Sequence, residues 1–217
     1  MKVINNSGIL NIYKMTVDEA HRRAFSDVGK RNMVTSVTIE GGTLAMYNTV
    51  NEQGENLIVE LYNDKHAFDV HHRSAQYQDF LAVAKDAVKE SQKVELIPHF
   101  LGEQDVSLNA TTDNNMRVNL VHFILKDGQG EQFKRILADY LKTAMKAETE
   151  ILVCYVAQIK ERPNEWLTFQ VFQNDGTFNN YVNSDGFKTV QKKLAPMLED
   201  RQLEQLDGQV LMNKGHY

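Results

Sequence analysis

Cysteine is almost absent from this chain: Cys154 is the only one, so no intrachain disulfide can form, and that fits a reducing compartment. It lies inside the apolar run ILVCYVA and reads as buried packing, not as a nucleophile. Long apolar runs are missing too. No stretch approaches the roughly 18 consecutive apolar residues of a membrane span, and the start, MKVINNSGILNIYKM, has no apolar core of signal-peptide length. A cytoplasmic protein with no membrane partner is expected. Clusters of lysine and arginine are also lacking, and the net charge is -5, so a nucleic-acid partner is not expected either.

What remains is the composition of a soluble globular protein, 42% hydrophobic and 24% charged, in 217 residues, enough for one large domain or two smaller ones. An internal repeat favours two. The stretch NLIVELYNDKHAFDVHHRSAQYQDF returns as WLTFQVFQNDGTFNNYVNSDGFKTV when the sequence is slid by 110 positions. Leu57 then falls on Leu167, Phe68 on Phe178 and Ser74 on Ser184, while Glu60, Tyr62, Asp64 and Tyr77 meet Gln170, Phe172, Asn174 and Phe187.

Taken in order, ILNIYKM reads as a strand and VDEAHRRAFSDV as a helix with a capping box at Thr16 and Glu19 that ends near Gly29. VTSVTI stays open, with a short edge strand as one reading. TLAMYNTV and NLIVELYN form a hairpin turning at Gly54, a short helix carries Ala67, Val70 and His71, and Ser74 caps a longer one. KVELIPHFL is the last strand of the first half. The polar stretch 102–115 is read as a linker, and 116–217 repeats the order, giving domains 1–101 and 116–217. Each half is β-α-β-β-α-β, an α+β ferredoxin-like unit. Helices on one face leave the other sheet face uncovered, so the two halves are expected to pack sheet to sheet within one chain.

At ELYNDKHAFDVHHRSAQY the sequence resembles the antibiotic biosynthesis monooxygenase family, through Glu60, Tyr62, Asp64, Ala67, His71, Ser74 and Tyr77. The resemblance implies an intrachain version of the dimeric α+β barrel, a pseudo-dimer that is a monomer or loose homodimer. It also implies oxidation of a small aromatic or quinol-like substrate by molecular oxygen with no metal or organic cofactor. Such a reaction needs a base titrating near neutrality and donors beside the developing anion. Histidine suits the first task, so His71 is the candidate base, with Glu60 to orient or charge-stabilise it and Tyr62 to offer a hydroxyl. Tyr47, Tyr77 and Asn11 are the candidate substrate contacts. His66, His71 and His72 lack metal-site spacing, and His72 is read as a surface residue. In the second half Tyr181 stands opposite His71, so the chemistry is expected in the first half alone.

NYVNSDGFKTVQK is also similar to the haem-degrading branch of the same superfamily, whose histidine falls four residues after the phenylalanine. Gln191 and Leu81 occupy that place here, and neither can ligate iron as an imidazole does. The competing reading is a non-catalytic small-ligand-binding or stress-associated protein of the same fold.

Overall fold

The computed structural model describes residues 2–4 and 7–215. Among them are ten strands: β1 (Lys2–Val3), β2 (Ile9–Val17), β3 (Thr43–Val50), β4 (Asn56–Tyr62), β5 (Val88–Glu103), β6 (Asn109–Ala110), β7 (Arg117–Leu125), β8 (Ile151–Ile159), β9 (Arg162–Phe172) and β10 (Leu198–Asn213). The helices are α1 (Arg22–Ile39), α2 (Lys65–Arg73), α3 (Ala75–Ala87), α4 (Gly130–Ala147), α5 (Asp175–Asn183) and α6 (Asp185–Leu194). None is long and apolar enough to cross a membrane.

The chain forms two compact units. The first comprises Ser7–Glu95, Val106–Asn114 and Asp207–Tyr217; the second comprises Met1–Asn6, Leu96–Asp105 and Asn115–Leu206. Sequence halves and compact units therefore differ at their ends, because β5 and β10 are long and each gives its first residues to one unit and its last to the other. The stretch expected as a linker is partly structured: β5 runs through Glu103, and β6 pairs with β10.

In the first unit, β2 and β3 flank β4 antiparallel, and the end of β10 pairs with β3. The period of two along β4 sends Ile58, Glu60 and Tyr62 to the helix side and Leu57, Val59 and Leu61 to the other; both sets are buried. The helix-side core joins Phe25, Val28, Met33 and Val37 of α1 to Met46, Ile58 and Tyr62 of the sheet and to Phe80 and Ala84 of α3. The second unit repeats this with Phe133, Leu137, Leu141 and Met145 of α4, Val190 and Leu194 of α6, and Phe123, Val156 and Trp166 of the sheet.

Two expectations are corrected around α1. β2 extends through Val17, and Asp18, not Thr16, caps the turn that precedes the helix, its carboxylate accepting from the Ala20 amide. The helix then runs past Gly29 to Ile39, so VTSVTI is helical. Gly29 does not end it because the turns beyond it bury Met33, Ser36 and Val37. Burial outweighs the low helix propensity of Val and Thr. Gly54 turns the β3–β4 hairpin at φ +80, as its position between two apolar runs suggested.

Candidate functional site

The α2–α3 corner is set by two caps written into the sequence. The Asp64 carboxylate accepts from the Ala67 amide at 2.8 Å, and the Ser74 hydroxyl accepts from the Tyr77 amide at 3.4 Å. Asn174 and Ser184 cap Thr177 and Phe187 in the same way in the second unit. Gly42 lets α2 approach the sheet, since a Cβ there would fall 2.3 Å from the Ala67 Cβ. This contact holds the inner face of α2, and with it His71, against Tyr62.

His71 is completely buried. Its Nδ1 lies 3.1 Å from Oε2 and 3.3 Å from Oε1 of Glu40, at the C-cap of α1. Thr43 Oγ1 and Gln76 Nε2 also donate to that carboxylate. Burial pushes the Glu40 carboxyl upward, but the hydrogen bonds from His71 and Thr43 outweigh it and hold it below its ordinary value. An ionised Glu40 takes the Nδ1 proton as a hydrogen bond, which leaves Nε2 as the basic nitrogen. That Nε2 is buried and has no hydrogen-bond partner.

Glu60 is the second buried carboxylate. Burial raises its pKa, against the charge of His71 and a hydrogen bond from the Tyr62 hydroxyl at 2.8 Å. Asn11 stands directly opposite Glu60 on β2, buried, with Nδ2 unpartnered. Asn48 lies on the same sheet face with Oδ1 unpartnered. The Tyr77 ring sits 4.9 Å from that of His71, and burial pushes its hydroxyl up to about 12. Tyr13, opposite Ile58, is likewise raised by burial and by the charge of Glu60. Buried polar groups without partners are rare in native proteins and point to a ligand that completes them.

His71, Glu60, Tyr62, Tyr77 and Asn11 are thus brought together, all within the first unit. Tyr47 is not. It pairs with Val59, so it points to the face away from the helices, where its hydroxyl accepts from Asn213 Nδ2 at 3.2 Å. Two partner assignments are also corrected. Glu40, not Glu60, holds the imidazole, and the Tyr62 hydroxyl is occupied by Glu60. His72 is half-buried, stacked on Phe68 at 3.9 Å, and donates from Nδ1 to the Phe68 carbonyl.

Sequence reasoning missed Glu40, although a signal exists. An acidic residue at a helix C-terminus opposes the helix dipole, so its presence just before Gly41-Gly42 asks for a compensating partner. Lys214 supplies part of this by donating to the carbonyls of Glu40 and Gly41, and His71 supplies the rest.

The second unit lacks the set. Tyr181 takes the place of His71, Gln170 that of Glu60 and Phe172 that of Tyr62, as expected, while Asn119, opposite Gln170 and buried with Nδ2 unpartnered, keeps that of Asn11. Glu148 keeps the C-cap position of α4 but is exposed.

A sequence model of the family described as antibiotic biosynthesis monooxygenase matches the chain twice, over residues 8–83 and 116–193. No curated protein matches it in sequence. Among solved structures, a candidate monooxygenase from Lactobacillus acidophilus NCFM superposes with a TM-score of 0.87 at 22% identity, covering 97% of this chain and 98% of its own. A candidate monooxygenase from Fusobacterium nucleatum subsp. nucleatum gives 0.87 at 20% identity over 97% and 96%. An anthrone oxidase-like protein gives 0.60 at 6% identity over 95% and 94%. At these identities the likeness is one of fold, and it spans both repeats.

Proposed function

Because the chain belongs to the antibiotic biosynthesis monooxygenase family, with two copies of its domain in tandem, we propose that the first unit oxidises a small hydroxyaromatic or quinol-like molecule with molecular oxygen, using its own side chains and no metal or organic cofactor. The observation that carries this reading is the buried pair Glu40–His71, which leaves an unpartnered nitrogen on the side of the sheet that also carries an unpartnered amide donor, Asn11, and a second carboxylate, Glu60.

The chemistry follows from that arrangement. His71 Nε2 takes the proton of the substrate hydroxyl, and Glu40 stabilises the imidazolium that forms, as a carboxylate does for a histidine base elsewhere. The resulting anion is electron-rich enough to pass an electron to oxygen. Asn11 Nδ2 donates to the negative charge as it develops, and Tyr77 packs against the ring. For a quinol the balance closes without a further reductant: quinol plus O2 gives a hydroxyquinone, which keeps one oxygen atom, and water, which takes the other.

Oxygen uptake with a panel of quinols and electron-rich phenols tests this. The wild-type protein should consume oxygen above the autoxidation background, and His71→Ala should lose about 100-fold or more of that rate, the usual contribution of a positioned base. Equal rates in the two proteins, or no uptake beyond background, would overturn the proposal in favour of a small-ligand-binding role.

A further inference from the structure

The second unit has its own cleft between sheet and helices, lined by Leu137 and Tyr140 of α4, Tyr181 of α5, Phe187 and Val190 of α6, and the sheet residue Thr168. The cleft is shallow and partly open to solvent. With the side chains as they stand, only a water-sized body fits at its centre. Two long side chains meet at the mouth: Arg201 on β10 donates to Gln191 Oε1 of α6 at 2.9 Å, and its guanidinium lies 5.8 Å from the Phe123 ring centre. Arg201 makes no ion pair among the described residues, and its one side-chain partner is neutral. At the floor, Thr168 is 1% exposed and its hydroxyl has no partner.

None of these three polar groups exists in the first unit, where Ser91, Leu81 and Ile58 occupy the positions of Arg201, Gln191 and Thr168. The second copy has exchanged proton-accepting groups for a cation at the mouth and a hydroxyl at the floor. In place of the basic site's Glu60 it has an amide, Gln170, which also lines the cleft. We propose that this cleft is a second, non-catalytic binding site for a small flat aromatic carboxylate: Arg201 binds the carboxylate, the aromatic and aliphatic walls hold the ring, and Thr168 meets a hydroxyl or carbonyl at the far end.

The dimensions agree. Arg201 pairs with Phe123, and Thr168 pairs with Val121 two residues along the same strand. Two strand spacings and one two-residue step put their backbones about 12 Å apart. A single para-substituted ring, reached from one side by the long arginine, spans that gap. Entry requires that the exposed Arg201–Gln191 hydrogen bond open and that the walls of the cleft part to admit a ring, and the carboxylate replaces that hydrogen bond with a charge-assisted one.

The inference does not depend on the oxidation proposed for the first unit. Its test is a titration of the full chain with 4-hydroxybenzoate, followed by backbone amide NMR. Saturable shifts are expected around residues 168, 181 and 190, retained in Glu60→Gln. Arg201→Gln, a change at an exposed position, should weaken binding about tenfold or more, and the cationic analogue 4-hydroxybenzylamine should not compete. Thr168→Val should remove the preference for 4-hydroxybenzoate over benzoate. Absence of saturable shifts, shifts confined to the surroundings of Glu60, or undiminished affinity in Arg201→Gln would each overturn the assignment.

Discussion

Replacing Glu40 by glutamine tests the inference that this residue, absent from the sequence motif, governs the base. The side chain keeps its shape and one acceptor oxygen. In the native site Oε2 receives Thr43 Oγ1 and the His71 Nδ1–H, and Oε1 receives Gln76 Nε2. A glutamine can keep its carbonyl toward Thr43 and His71 and turn its NH2 to Gln76, whose own amide flips to present oxygen. The imidazole therefore keeps its tautomer and place, and what disappears is the negative charge facing it. Hydrogen bonds to a charged partner exceed neutral ones by about 1–2 kcal/mol. The lost charge matters most once His71 has taken the substrate proton, so kcat should fall about 10- to 30-fold with KM nearly unchanged. Thermal stability should fall by about 2–8 °C at this chain length. Glu40→Ala should do worse on both counts, because Gln76 and Thr43 then lose their acceptor. Steady-state oxygen consumption gives the kinetic split, and 15N NMR of labelled histidine gives the tautomer. An unchanged kcat in Glu40→Gln, or a wild-type imidazole protonated on Nε2, would refute the reasoning.

The two buried carboxylates should oppose each other in pH-dependent stability. Glu60 is raised above its ordinary 4.5, so the unfolded chain ionises there while the folded one keeps its proton, and stability falls as pH climbs from about 4.5 through the folded value, by up to about 1.4 kcal/mol per pH unit. Glu40 is lowered, so its contribution is present above about 4.5 and is lost as pH falls through its folded value. Urea denaturation across pH should show the first slope flattened in Glu60→Gln alone; an unchanged slope would disprove the raised carboxyl. Gly42→Ala should cost about 1–3 kcal/mol in the same assay, because the 2.3 Å approach to Ala67 Cβ can be relieved only by moving α2. Cys154 is fully buried and its thiol is pushed well above the ordinary range, so a thiol reagent should label the protein only after denaturation; labelling at native conditions would contradict that burial.

The repeat was the most legible feature, because period-two strands and the caps at Asp64, Ser74, Asn174 and Ser184 act locally and survive the loss of identity around them. Most of the site was legible for a related reason. Glu60, Tyr62, His71 and Tyr77 lie within one strand-helix corner, where spacing fixes facing. What escaped depends on contacts distant in sequence. Gly29 looks like a helix end until the residues beyond it, Met33, Ser36 and Val37, are seen to be buried, Glu40 is 31 positions from His71, and the face of Tyr47 is set by its pairing with Val59. Asn11 was placed on the strand but gains meaning only from the register that puts it opposite Glu60.

Physical cost explains why the two copies diverge as they do. Burying Asn11 Nδ2 and His71 Nε2 without partners works against folding, by about 1–3 kcal/mol for each unsatisfied group, and burial of the Glu60 carboxyl adds to it. A symmetric homodimer would bear that cost twice. In a tandem chain each copy is encoded separately, and the second keeps the amide as Asn119 but replaces the two ionisable positions with Gln170 and Tyr181. Tyr181 then packs 5.2 Å from Phe172 and 4.9 Å from Phe187 between ring centres, contacts that favour folding. The aromatic cluster of the second unit is thus what the site looks like once its proton-transfer groups are removed. The asymmetry places the buried ionisable groups, on which the proposed oxidation depends, around His71.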